Sequence, residues 1–309
     1  MTLKGAWKIT RQTFSDFIDN KVLKLSAALS YYTIFSLPGL IIIVIWISDI
    51  FYGDKAVEGT VYAQIAGLVG KDAALQIQQT IRNATLSYET GFAATIGIAT
   101  LIFGATSIFG EIQDSINGIW KLKAKPRRGW VKLLVNRLLS FSLIITLGFL
   151  LLVSLIINAL MDAFIHKLTV IFPHTEVIIA YVFSVLLSFV ITSFLFGLIF
   201  KVLPDAKIEW RHVRAGAFTT ALLFMIGKLG ISYYLGHNRL TSAYGAAGSV
   251  IVILLWVYYS AAILYFGAVF TRVYAIYKGS HIYPDNYAVW IEEVEVESGK
   301  PVQEQIKDL

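Results

Sequence analysis

Six long apolar runs, near 25–50, 90–110, 133–160, 176–200, 213–235 and 245–277, alternate with polar stretches along the chain. Each run is long enough to cross a hydrocarbon core, which takes about 20 helical residues. The pattern predicts an all-α integral membrane protein with six transmembrane helices. Ahead of the first run, Leu3, Trp7, Thr10, Phe14, Phe17 and Ile18 share one arc at helical spacing, flanked by Lys4, Lys8 and Arg11. Such a segment lies in the headgroup plane, so an N-terminal interfacial helix is expected within residues 1–24. Between the first two runs, Ala74, Ile77, Ile81 and Ala84 repeat at helical spacing against Gln76, Gln79, Arg82 and Asn83. That spacing predicts an amphipathic helix in the first extracytoplasmic loop. Residues 25–279 form the expected six-helix transmembrane domain. The remainder, 280–309, carries Asp285, Glu292, Glu293, Glu295, Glu297, Glu304 and Asp308 against Lys300 and Lys307. It reads as an acidic, poorly ordered cytoplasmic tail.

Charge then orients the runs. Lys and Arg number 5 before the first run, 7 around the gap between the second and third, 4 around that between the fourth and fifth, and 4 at or beyond the end of the sixth, 20 of 26 in all. The alternate ends carry 3, 1 and 2. Basic segments stay on the cytoplasmic side, so both termini are expected there, in a bacterial inner membrane. Hydrophobic residues make up 57% of the chain and charged residues 15%, which excludes a soluble domain of 309 residues. The net charge of +6 needs no nucleic acid partner. Anionic lipid headgroups attract basic segments by about 1 kcal/mol per residue, and membrane lipids are the expected partners. The stretch 121–128, basic and bordered by Trp120 and Trp130, is the clearest such contact. No signal peptide is expected, because the first apolar run is too long for one and lacks a small-residue cleavage site.

Polar residues inside the runs carry the candidate chemistry. On the second, Gly97, Thr100, Gly104, Ser107, Glu111, Asp114 and Gly118 recur at alternating steps of three and four and are expected to face the bundle interior. Small residues on a stripe allow close helix contact, but two carboxylates need a further reason. An ion-pair cluster with Arg127, Arg128, Lys132 or Arg137 comes first, and a proton or cation site second. Ser26, Ser30 and Thr33 beside Tyr31 and Tyr32 make a second polar seam, and Tyr181, Ser184, Ser188 and Thr192 a third. Three seams together suggest a hydrated interior cleft. Pro38 kinks the first span, for packing before gating. Tyr244-Gly-Ala-Ala-Gly-Ser249 concentrates small residues, with Gly245 and Gly248 able to admit a close crossing or a hinge.

Lys228 is the basic residue firmly inside an apolar run. An uncompensated charge near mid-bilayer costs about 3 kcal/mol or more, so Lys228 must find water, a counter-charge or the surface. Two readings stand level. It snorkels to the outer interface, or it faces the cleft and meets an anionic group, with Asp49 or Asp162 as resting partners or a phosphate as substrate.

Other chemistry is missing from the sequence. Cysteine is absent and the five histidines, His166, His174, His212, His237 and His281, stand alone, without metal-ligand spacing. No phosphate-binding loop or nucleophile elbow occurs. No metal, cofactor or enzymatic activity is therefore expected. The segment 109–121 aligns without gaps on 266–278, with four of 13 positions identical, a similarity for which chance suffices in so apolar a chain.

Ser26-Ala-Ala-Leu-Ser-Tyr-Tyr-Thr-Ile-Phe-Ser-Leu-Pro38, Asn117-Gly-Ile-Trp120, Leu203-Pro-Asp-Ala-Lys-Ile-Glu-Trp-Arg211, Tyr244-Gly-Ala-Ala-Gly-Ser249, Leu255-Trp-Val-Tyr258 and Phe266-Gly-Ala268 together resemble the YihY/BrkB family of bacterial inner-membrane proteins. The resemblance implies six spans with cytoplasmic termini, in agreement with the charge count. It also implies roles in envelope integrity, serum resistance and transport of lipid or lipopolysaccharide precursors. An older label for the family, a tRNA-processing ribonuclease, finds no nuclease ligands here.

The favoured reading is a transporter or flippase for an anionic lipid or envelope precursor. Lys228, Ser30, Tyr31, Tyr32, Ser107, Ser188 and Tyr244 would bind the substrate. Glu111, Asp114, Asn117, Pro38, Gly245 and Gly248 would couple or gate. The alternatives are a non-transporting scaffold that recruits envelope proteins, and a solute or ion exchanger. Homo-oligomerisation is left open.

Overall fold

The computed structural model describes residues 3–35, 107–125, 176–237, 247–285 and 287–292. Helix α1 (Leu3–Asp19) turns sharply into α2 (Val22–Phe35) through Lys21, whose backbone is left-handed (φ 52°). Next come α3 (107–119), α4 (Glu176–Val202), α5 (Trp210–His237) and α6 (Ala247–Tyr277). At 1.5 Å per residue, α4 to α6 are each about 40 Å long or more, enough to cross a bilayer with some tilt. Among the described residues these are the three helices long and apolar enough to do so. They coincide with the fourth, fifth and sixth apolar runs. The first and second runs enter the described residues only as α2 and α3. The third run and the amphipathic helix expected in the first loop lie outside them.

Helix α1 divides its faces as an interfacial helix should. Gly5, Ile9 and Thr13, spaced by four, are buried, whereas Trp7 (71% exposed), Phe14 and Ile18 are open to the surroundings. Helix α1 packs on α6, where the rings of Phe14 and Phe17 stand 5.4 and 5.8 Å from that of Phe266. Arg272 of α6 donates to Asp16 at 3.5 Å.

The middle of the bundle is α5, packed against both α4 and α6. Its contact with α6 is unusually close and nearly reciprocal. A Cβ added at Gly216 would meet Thr271 Oγ1 at 1.7 Å, and one added at Gly267 would meet Thr220 Oγ1 at 1.8 Å. Each threonine therefore rests on the glycine of the other helix. Each also returns its hydroxyl to the glycine one turn earlier in its own helix, Thr220 to the Gly216 carbonyl and Thr271 to the Gly267 carbonyl, both at 2.7 Å. The pattern Gly-Ala-x-x-Thr occurs once on each helix, at 216–220 and 267–271. Small residues let backbones approach where lipid offers no hydrophobic drive for association. Farther along the same contact, Tyr259 fills the space that a side chain at Gly227 would need.

At the end where α3, α4 and α6 finish and α5 starts, four short strands close the structure. Strand β1 (Leu122–Ala124) pairs antiparallel with β4 (Ala288–Trp290), in the register Lys123↔Val289. Strand β2 (Ala206–Lys207) pairs antiparallel with β3 (Tyr283–Pro284), with Lys207 opposite Tyr283. The hydrophobic core gathers at this strand-bearing end, around Ile116, Ile119, Trp120, Phe200, Val213, Tyr265, Val269 and Ile282. The turn out of α6 is a Schellman close: Gly279 has φ 74°, Gly279 N–H bonds to the Ile276 carbonyl, and Ser280 N–H to that of Ala275.

Two expectations need correction here. The segment after 280 is not poorly ordered throughout, because its first part forms β3 and β4 and buries Ile282 and Ala288. Acidic composition concealed it, since the acids crowd beyond the strands. The stripe on the second run does not all face inward either. Asp114 and Gly118 are exposed, while Ile112, Gln113, Ile116, Asn117, Ile119 and Trp120 are buried. Burying both carboxylates would be costly, and three isoleucines at steps of four and three offer a cheaper interior face.

Candidate functional site

The best-defined polar constellation lies inside the strand-bearing end and centres on Asp205. Pro204 ends the exit from α4, and the short link to α5 turns the Asp205 side chain inward, leaving the residue 2% exposed. Gln113 Nε2 and Asn117 Nδ2, one turn apart on α3, donate to its two carboxylate oxygens, each at 2.9 Å. Asn117 also accepts the Asp205 backbone N–H at 2.9 Å, so the pair is joined in both directions. From the segment after α6, Asp285 N–H donates to the Asp205 carbonyl at 3.0 Å, and the Asp285 carboxylate bridges to Lys207 at 3.4 Å. Tyr287 completes the group. Burial, then the Asp205 charge and a hydrogen bond to it, then Asp285, push its phenol up to about 12. A buried carboxylate demands such partners, and here they come from two other chain segments, α3 and the stretch after α6.

Around this latch the ends of the spans are tied together. The Trp120 indole N–H donates to the Ala268 carbonyl of α6 at 2.9 Å in a buried contact. Lys201, in the last turn of α4, donates to the Ile208 carbonyl beyond β2. The Ile291 N–H reaches the Lys121 carbonyl at 2.9 Å, and the Lys125 N–H the Tyr287 carbonyl at 2.7 Å. Opening this end means breaking side-chain and backbone hydrogen bonds together.

Of the residues singled out in the sequence, Asn117 joins this site. Ser30 is buried, but its hydroxyl goes to the Ser26 carbonyl of its own helix at 2.8 Å. Ser26 and Thr33 bond back in the same way. Tyr31 and Tyr32 point outward from α2, their rings 6.0 Å apart. Ser107 and Ser188 are half-buried on α3 and α4. Glu111 is half-buried and accepts from Ser115 at 3.3 Å. Lys228 is exposed on α5, about 27 Å along that helix from Trp210 and hence far from the latch. These side chains do not converge on one cleft among the described residues. Gly248 lies in the first turn of α6, while Pro38, Tyr244 and Gly245 lie outside the described residues, as do the proposed ion partners of Glu111, Asp114 and Lys228.

The sequence reading missed Gln113, Asp205 and Tyr287. A signal was present: Asp205 stands between two apolar runs in Leu203-Pro204-Asp205, where a solvated turn would be richer in polar residues. Among the described residues no group of three His, Cys, Asp or Glu side chains is placed to hold a metal ion.

Comparisons with known proteins agree with this picture at the level of class. The chain is 26% identical over 250 residues to a UPF0761 membrane protein of Pseudoalteromonas atlantica, covering 81% of this chain and 80% of the relative. It is 25% identical over 260 residues to one of Nitrosospira multiformis, covering 82% of this chain but 57% of that protein. A shorter match, 37% identical over 75 residues, joins it to one of Tolumonas auensis, across 24% of this chain and 25% of the other. No solved structure matches the chain. The family model described as Virulence factor BrkB matches residues 13–286, which takes in α3 to α6 and most of the latch, and the chain is a membrane protein that belongs to this family.

Proposed function

We propose that this protein moves an anionic amphipathic lipid or envelope precursor across a bacterial inner membrane, with both termini and the strand-bearing end in the cytoplasm. The observation that carries this reading is Lys228. It is a cation exposed beyond the first two turns of α5, where Arg211 and Arg214 lie, on a stretch whose other exposed side chains, Phe218, Leu222, Ile226 and Leu229, are apolar. A cation on an apolar surface offers an anionic headgroup a partner that hydrocarbon cannot, while acyl chains stay beside the helix. A solute exchanger would instead need a cation sealed from lipid. The latch fits the same reading as the closed cytoplasmic end. Its buried hydrogen-bonded node joins elements that would have to part if a headgroup passed between them. Reconstitution tests the proposal: vesicles containing the protein should exchange a labelled anionic phospholipid between leaflets faster than empty vesicles. Lys228→Met should slow that exchange about tenfold, the loss of one ionic contact worth about 1.4 kcal/mol. Exchange no faster than in empty vesicles, for anionic and neutral lipids alike, would remove transport and leave the envelope scaffold.

A further inference from the structure

Part of the latch is exposed to the surroundings. On it, cross-strand neighbours share a side: Lys207 lies opposite Tyr283 and Lys123 opposite Val289, and all four are exposed. Trp290, 56% exposed, donates its indole N–H to the Ile282 carbonyl at 3.0 Å and stands 5.6 Å from the Tyr283 ring, itself beside His281. The result is a firmly held corner of aromatic rings with lysines across the strands.

Chain connectivity fixes where this corner lies relative to a bilayer. Strand β2 sits in the short link between candidate spans α4 and α5, and β3 follows α6 after the Gly279 turn. The link from Tyr277 to Tyr283 reaches at most about 20 Å even when extended. The ribbon is thereby confined close to the layer where spans end and headgroups begin. Tyr and Trp concentrate at that depth because each ring has an apolar body and a polar tip. The charge has the matching sign. Lys121, Lys123, Lys125, Lys207 and Lys278 surround the ribbon; among the described acids nearby, Asp285 is bridged to Lys207 and Asp205 is buried, while Glu209 after β2 and Glu292 after β4 are exposed, so the basic groups outnumber the exposed acids.

We infer that the exposed side chains of the ribbon, Lys123, Lys207, Tyr283, Val289 and Trp290, dock on anionic phospholipid headgroups. The segment after α6 is then no free acidic tail at its start. It is a membrane-bound strap whose inner side holds Asp205 and whose outer side reads the charge of the leaflet. This surface does not depend on what, if anything, the protein transports.

The chain has no cysteine, so Val289→Cys gives a single attachment point for a fluorophore on the full-length protein reconstituted in vesicles. Phospholipids carrying a nitroxide near the headgroup should quench the label more than those carrying it at the chain end. Nitroxide-labelled phosphatidylglycerol should quench more than the phosphatidylcholine equivalent. Lys123→Gln should lower the preference for the anionic lipid about fivefold. A label at Glu292→Cys repeats the measurement should the first disturb β4. Quenching that is absent at both positions, or equal for neutral and anionic lipid, would overturn the proposal. So would a label already shielded in lipid-free detergent, which would mean that the rest of the tail or a second copy covers the face.

Discussion

The contact between α5 and α6 and the junction around Asp205 hold neighbouring parts of one bundle by opposite means. The first is made mainly of shape: Gly216 and Gly267 let Thr271 and Thr220 sit within the partner's surface, the threonine hydroxyls are spent inside their own helices, and one bond, from the Tyr259 hydroxyl to the Leu223 carbonyl at 3.3 Å, crosses between them. The second is made of directional bonds between segments, with a buried carboxylate at its centre. Surroundings explain the difference. Between spans, lipid is as apolar as the side chains it would replace, so only close packing distinguishes protein from lipid. At the end of the bundle water is near, so a hydrophobic core forms there and its polar exits need partners. Shape-held contacts resist separation at every point, whereas a hydrogen-bonded junction can trade partners with water and re-form. On that ground the helix pair should stay together under conditions in which the strand-bearing end exchanges its bonds with water.

Three measurements probe that division. The largest effect is expected from Gly267→Ala, whose new methyl would lie 1.8 Å from Thr220 Oγ1 and 3.0 Å from the Phe200 ring. Unfolding in detergent should show a loss of about 3 kcal/mol, and Thr220→Gly in the same chain, which removes both the hydroxyl and the Cβ at 2.9 Å, should return part of it. A variant as stable as the parent would mean that the two helices are not held by fit.

Asp205→Ala comes next. It strands the buried amides of Gln113 and Asn117, a cost of about 2 kcal/mol. Hydrogen exchange should quicken in 113–124 and 283–291 while α5 and α6 keep their protection. Uniform quickening would erase the distinction between the regions.

The smallest effect belongs to Tyr287. Its phenol is held up to about 12, above the ordinary 10.0, so its contribution is complete below pH 10 and fades as pH rises toward 12. Protection of β4 should fall in that interval, and Tyr287→Phe should weaken the strap at neutral pH and remove the alkaline step. An unchanged alkaline step in the phenylalanine variant would assign it to another group.

What could be read beforehand follows the same division. The three long helices and the amphipathic first helix were legible because length and periodicity are local properties, and apolar runs bounded by charge state them directly. The Gly-Ala-x-x-Thr repeats were in view yet passed over, since one such pattern says nothing until a second faces it. The latch was the least legible. Strands of two and three residues have no period, a lone Asp after Pro resembles an ordinary turn, and the acids beyond 292 dominate the composition of the tail. Among the candidate residues, Asn117, expected to couple or gate, lies in the latch bonded to Asp205. Ser30, expected to bind substrate, satisfies its hydroxyl on its own helix backbone.

The two ends of the latch's bonds are also far apart in synthesis. Asn117 waits for Asp205, 88 residues later, and Trp120 for the Ala268 carbonyl, 148 residues later. Helices entering a membrane in order would stand side by side with this end unsealed until the final strands left the ribosome. Closure of this end is therefore completed late: a chain cut short after α6 would still hold the Asn117–Asp205 and Trp120–Ala268 bonds but would lack β3, β4 and the Asp285 contact.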